Sequence, residues 1–113
     1  KTQPEKLVVS PCFLPNFSSG PYWIVAAGPY QYYYEWAIVI GGQPTIKISN
    51  TTCTTKERGF NNSGLWIFSR NPIIKDIDLQ YLRSLLIKKG ISTDKLKNVT
   101  QKGCNYTGAF IKN

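Results

Sequence analysis

Histidine and methionine are absent from the 113 residues, and only six acidic side chains oppose 14 basic ones. Without His, the Ser–His and Cys–His nucleophile arrangements are excluded. The three cysteines, Cys12, Cys53 and Cys104, are widely spaced with no Cys-x-x-Cys pair. A structural zinc site therefore has no ligand set, and no metal or cofactor is expected. No apolar run approaches the ~20 residues that a bilayer-spanning helix needs, so no transmembrane segment is expected. With no initiator Met and no signal-like leader, the chain is expected to start after a processing event or to be a piece of something longer.

What is present is a folded protein's composition, 42% hydrophobic and 13% aromatic. That is enough for one core and one domain over residues 1–113. The net charge of +8 comes from dispersed lysines, with only Lys88–Lys89 adjacent and a loose set at Lys95, Lys97 and Lys102. Nucleic-acid binders gather such charge into a stripe. A solvated basic surface with weak attraction to acidic partners fits better, and no nucleic-acid partner is expected.

Five of the eight asparagines begin an N-x-[ST] sequon: Asn16, Asn50, Asn61, Asn98 and Asn105. Chance would give roughly one among eight. With the odd cysteine count, this favours a secreted, glycosylated protein with a disulfide and a leftover thiol that looks for a partner outside these residues. Asn- and Thr-rich loops also make sequons by accident, and an organelle lumen such as that of a plastid is the alternative compartment.

Aromatic and β-branched residues dominate the first seventy positions and predict sheet. Strands are expected over 6–9, 21–27, where Gly28-Pro29 ends the run, and 32–40, the last two forming a hairpin across a tyrosine-rich loop. Residues 45–48 alternate like a sheet edge, and 50–63 reads as a long exposed loop containing Cys53. Residues 65–70 form another strand, which Pro72 forces out of the sheet. The period then changes to 3.6, with Ile74, Ile77, Tyr81, Leu82, Leu85 and Leu86 on one stripe. Asp76 and Asp78 at one end, and Lys88, Lys89 and Gly90 at the other, bound a helix of about 13 residues. One apolar stripe means that the helix covers the outside of a sheet. Residues 96–100 are expected as a last short strand, with the Cys104 tail returning to the wall.

The order of these elements is specific. Lys6-Leu7-Val8-Val9, Gly20-Pro21-Tyr22-Trp23-Ile24-Val25-Ala26, Tyr34-Glu35-Trp36-Ala37-Ile38-Val39 and Leu65-Trp66-Ile67-Phe68-Ser69-Arg70-Asn71-Pro72 precede the helix, and Val99-Thr100-Gln101 precedes Cys104. The series resembles the C-terminal half of the lipocalin family, in its apolipoprotein-D-like and bacterial branch. The strand–Arg-x-Pro–helix junction matches that family's third conserved region. The resemblance implies a mostly β fold: a partial, antiparallel up-and-down β-barrel of about five strands with one helix on its outer face. The family's Gly-x-Trp region and first four strands are absent, and Ala27-Gly28-Pro29-Tyr30 stands where Thr-Asp-Tyr is usual. An N-terminal segment or a partner chain is therefore expected to complete the barrel.

The resemblance also implies a calyx for a small hydrophobic ligand such as a lipid, retinoid or pigment. Strand alternation places Leu7, Val9, Tyr22, Ile24, Ala26, Ala37, Val39, Trp66 and Phe68 on its inner wall, with Trp23, Ile38 and Ile40 outside. Arg70 is implied as a structural residue closing the barrel base. Inward aromatics also fill small barrels, so a non-transport subunit of a larger extracellular or lumenal assembly, held through its open sheet edge and tyrosine-rich loop, is the competing reading. Cys104 is implied to bond back to the barrel, with Cys53 as one partner and an upstream cysteine as the other, in which case Cys12 is the candidate for a second bond. Lipocalin-fold enzymes such as the de-epoxidases use a carboxylate or a cavity thiol. Here Glu35 alone is an inward acid and Cys12 lies in a loop, so no enzymatic activity is expected.

Overall fold

In the computed structural model, residues 3–10, 19–59 and 61–110 are described. Among these residues, six strands and one helix follow in order: β1 (Lys6–Val9), β2 (Gly20–Tyr30), β3 (Tyr33–Ile40), β4 (Ile46–Lys47), β5 (Cys53–Thr54), β6 (Leu65–Ser69) and α1 (Asp76–Lys88). Four of them make an antiparallel sheet in the order β1-β2-β3-β6, and β4-β5 form a separate ribbon. The mostly β, one-helix architecture is as expected. The sheet does not close into a barrel: β1 and β6 are its two edges.

Trp23, Ile38, Ile40, Leu65 and Ile67 share one face, and Leu82, Leu86 and Ile91 pack on it. Ile38, Leu82 and Leu86 are fully buried. Burying a Leu or Ile side chain is worth about 1.5–3 kcal/mol, so this single layer supplies most of the hydrophobic stabilisation. Trp36 reaches the same face and meets Tyr81 edge-on, with centroids 6.0 Å apart. Gly28 pairs with Trp36, and a Cβ there would lie 2.6 Å from the indole, so the close packing needs glycine. Lys6 caps Trp23 from the sheet edge, its Nζ 4.4 Å from the ring centroid.

The helix stripe is narrower than its sequence period implies. Ile77 and Tyr81 are exposed, whereas Leu82 and Leu86 lie at the contact and Leu85 and Ile74 flank it. Positions 77 and 81 lie one step off the line through 82 and 86, and of that neighbouring row only Leu85 packs against the core. The C-terminal stop is a Schellman motif. Gly90, at φ +80°, donates its N–H to the Ile87 carbonyl, and Ile91 donates to the Leu86 carbonyl. Ile91 then packs as the accompanying apolar contact.

Four other expectations are corrected. β2 does not end at Gly28-Pro29; it runs on to Tyr30, and the hairpin turn is only Gln31-Tyr32. Residues 50–63 are not simply an exposed loop: Thr54, Thr55 and Ser63 are buried. Cys53 N–H donates to the Gly90 carbonyl, and its carbonyl accepts from Ser92, so this segment is stitched to the helix exit. Residues 96–100 form no strand, and residues 97–110 are exposed rather than returned to the wall.

Candidate functional site

The face of the sheet turned away from the helix is the candidate site. Antiparallel partners point to the same side, so the registers fix its rows. Leu7 stands opposite Tyr22, and Ile24, Val39 and Trp66 form one row across three strands. Ala37 and Phe68 form the next. Val9, opposite Gly20, lies at the β1 edge. Eight of the nine residues expected to line the cavity therefore come together on one surface. Val39 is 2% exposed because Ile24 and Trp66 flank it, whereas Trp66 and Phe68 are 44% and 45% exposed. Leu7 and Val9 are also exposed, and Tyr22 is half-buried. The arrangement is an open wall, not an enclosed calyx.

One residue changes sides. Ile24 pairs with Val39, but Ala26, not Val25, pairs with Ile38. Val25 is the extra residue of a β-bulge, and a one-residue insertion flips the faces of everything beyond it. Ala26 consequently packs with the helix-side core, and Ala27, opposite Ala37, takes the open side. No glycine or proline marks the bulge, so the sequence carries no local signal for it.

Gly64 shapes the outer end of this wall. It sits at φ +91°, and the Trp66 indole lies directly over it where any Cβ would stand. Arg70 follows Phe68 on the same side by alternation. Its backbone N–H donates to the Glu35 carbonyl at 2.8 Å, and its Nε donates to the Tyr34 carbonyl at 2.8 Å. Arg70 is exposed and ties the end of β6 to the start of β3. Glu35 is half-buried beside a recess of ≈ 470 Å³ that Tyr30, Tyr33, Trp36, Ile73 and Lys75 also line.

Cys53 and Cys104 are both free thiols, so the expected bond between them is not formed. Cys53 is fixed in β5 against the helix exit, whereas Cys104 lies in the exposed tail with its Sγ donating to the Thr100 carbonyl at 3.3 Å. Tyr106 packs beside that thiol, which raises the phenol pKa. Cys12 and Asn16 lie outside the described residues. Asn50, Asn61, Asn98 and Asn105 are exposed, although Ser63 of the Asn61 sequon is buried with its hydroxyl donating to the Gly59 carbonyl. Among the described residues there is no cluster of three potential metal ligands and no helix long and apolar enough to cross a membrane.

Two further surfaces stand out, the first of them the tyrosine-rich loop expected to hold a partner in the competing reading. The first is the β2–β3 hairpin tip, where Tyr30, Tyr32 and Tyr33 are exposed and Tyr32 adopts φ +66°. The second is a groove of ≈ 810 Å³ between β6 and residues 95–102.

No family model matches this chain. No solved structure matches it either. Among curated proteins, it is 30% identical over 103 residues to apolipoprotein D of Mus musculus, covering 91% of this chain and 46% of that protein. Apolipoprotein D of Bos taurus is 29% identical over the same length and shares. The chain thus spans less than half the length of these relatives. The two similarities, with the sheet order and the helix on one face, support a relationship to the lipocalin family.

Proposed function

We propose that this chain is the C-terminal half of a lipocalin wall and that its open face binds a small hydrophobic molecule, such as a lipid, retinoid or pigment. One observation carries the reading: Trp66 and Phe68 stand nearly half exposed, side by side on the face that the helix does not cover. An exposed aromatic pair beside Val39, Ile24 and Leu7 is a surface that gains by being covered. The similarity to two apolipoprotein D sequences supports the same reading. The sequons support secretion.

Magnitudes bound what this half can do. Covering the exposed parts of Trp66, Phe68, Leu7 and Val9 removes roughly 350 Å² of apolar surface, or about 9 kcal/mol. Association costs at least about 4 kcal/mol of that. The remainder corresponds to a Kd of about 0.1–1 mM, so tight carriage requires the rest of a wall. Organic extraction of the purified protein with mass spectrometry, and titration with sodium decanoate, test the proposal. Binding in that range that is lost in Trp66→Ala/Phe68→Ala supports it; undiminished binding in the double variant contradicts it.

A second reading, a structural or interaction subunit, is favoured by the hairpin tip. Tyr32 is 87% exposed, and Ile73 and Ile77 are exposed near the adjoining helix start. Amphipathic tyrosines of this kind are common at interfaces. Size-exclusion chromatography discriminates: a stable monomer of this chain argues against an obligate partner.

A further inference from the structure

The recess beside Glu35 lies on the helix-covered side of the sheet, between the β2–β3 hairpin tip and the first turn of α1. A second irregularity in the β2–β3 ladder shapes it. Gly28 pairs with Trp36, but Pro29 pairs with Tyr34. Glu35 is therefore the extra residue of a bulge in β3, as Val25 is in β2. Regular alternation would set Glu35 and Trp36 on opposite faces; at the bulge they line one recess. Tyr30 and Tyr33 are a cross-strand pair, so their rings leave the sheet on the same side. Asp78 joins the lining from the first turn of α1.

The lining has the chemistry of a cation site. Tyr30, Tyr33 and Trp36 share it with two of the chain's six carboxylates, Glu35 and Asp78, and one ammonium, Lys75. Both carboxylates are half-buried, and among the described residues neither has an ion-pair partner. A partly desolvated carboxylate without a counter-charge is costly, and a cation seated beside it offsets that cost. Aromatic faces attract the same charge through their quadrupole. Trp36 is already held edge-on to Tyr81, with centroids 6.0 Å apart, so ordering its ring costs little on binding. In a chain of net charge +8 the lining is net negative, which disfavours an anion.

Size and donor set narrow the choice of cation. A volume of ≈ 470 Å³ is within the range of about 300–1,000 Å³ for small-molecule sites. Calcium and magnesium require about six or more oxygen ligands, and among the described residues there is no cluster of three potential metal ligands. A primary ammonium needs acceptors aimed at its N–H groups. A fully methylated one needs only apolar faces and nearby negative charge, which this lining supplies. We propose that the recess binds a small quaternary ammonium compound. Its trimethylammonium group packs against Trp36 and the two tyrosines, and its charge sits beside Glu35 and Asp78. The site shares no residue with the open wall, so it stands whether or not that wall holds a ligand.

Choline chloride is the probe, titrated into the full chain and followed by the tryptophan indole N–H signals in NMR. The Trp36 signal is expected to shift saturably at millimolar choline, while those of Trp23 and Trp66 stay in place. The neutral analogue with tert-butyl in place of trimethylammonium keeps the shape without the charge and should bind at least tenfold more weakly. Glu35→Gln/Asp78→Asn should weaken choline binding at least tenfold with an unchanged urea midpoint. Stronger binding of phosphocholine than of choline supports the site and makes a lipid headgroup its source; stronger binding of choline supports it and makes a free amine the source. The proposal is overturned if the Trp36 signal does not move, or if potassium chloride moves it equally. Equal binding of the neutral analogue overturns it on the wild-type chain alone, however the double variant folds. Undiminished binding in a folded double variant overturns it as well.

Discussion

The two faces of one sheet have the same kind of residue and opposite fates. On β3, Ile38 and Ile40 are buried beneath Leu82 and Leu86, while the alternate positions Ala37 and Val39 form an uncovered wall with Phe68 and Trp66. Trp36 is locked against Tyr81 and Gly28; Trp66 lies over Gly64 with 44% of its surface open. The covered face holds the fold together, and the uncovered face is the one proposed to bind.

The comparison breaks first at the core. Leu82→Ala or Leu86→Ala should cost about 2–5 kcal/mol in urea unfolding, whereas Phe68→Ala on the open face should cost under about 1 kcal/mol. Equal costs would mean that the open face is part of the core. Next come the two glycines that seat the tryptophans. Gly28→Ala drives a methyl into the Trp36 ring and should destabilise by about 1–3 kcal/mol. Gly64→Ala adds left-handed backbone strain of about 1 kcal/mol or more, but its larger effect should be to swing Trp66 off the wall and change its fluorescence maximum. A Gly64→Ala protein with an unchanged Trp66 environment would sink that assignment.

The smallest effect concerns the surface. The Lys95 ammonium, by hydrogen bond and by charge, lowers the Glu57 carboxyl below its ordinary 4.5. A depressed pKa contributes stability that is present above 4.5 and is lost as pH falls through the folded value. Both groups are exposed, so the contribution is small and screened by salt. Comparing wild type with Glu57→Gln from pH 7 down to pH 3, the difference in stability should shrink toward zero below 4.5. A difference that grows on acidification would contradict the pairing.

Much of this was legible in the residues. Period-2 alternation located β1, β3 and β6 within a residue or so, and the change to period 3.6 with Asp76, Asp78 and Gly90 located α1. Eight of the nine expected wall positions share a face because side-chain alternation has little freedom once strands pair. What alternation cannot contain is an insertion into the ladder, so the Val25 bulge moved Ala26 to the helix side unannounced. Burial of Thr54 and Thr55 was equally hidden, since those residues look like loop, and the bonds that tie their segment down run from the neighbouring Cys53 to Gly90 and Ser92, nearly forty positions away. Residues 96–100 carry strand-like composition without becoming a strand, because a strand needs a neighbour and β6 faces them only across the groove.

The central claim is that the open face, and not the helix-covered one, is the binding wall. Methyl-labelled NMR during titration with sodium decanoate tests it directly. The methyl signals of Leu7, Ile24, Ala37 and Val39 should move, while those of Ile38, Ile40, Leu82 and Leu86 stay in place. Shifts confined to the helix-side methyls, or no shifts on the open face at millimolar decanoate, would contradict the account.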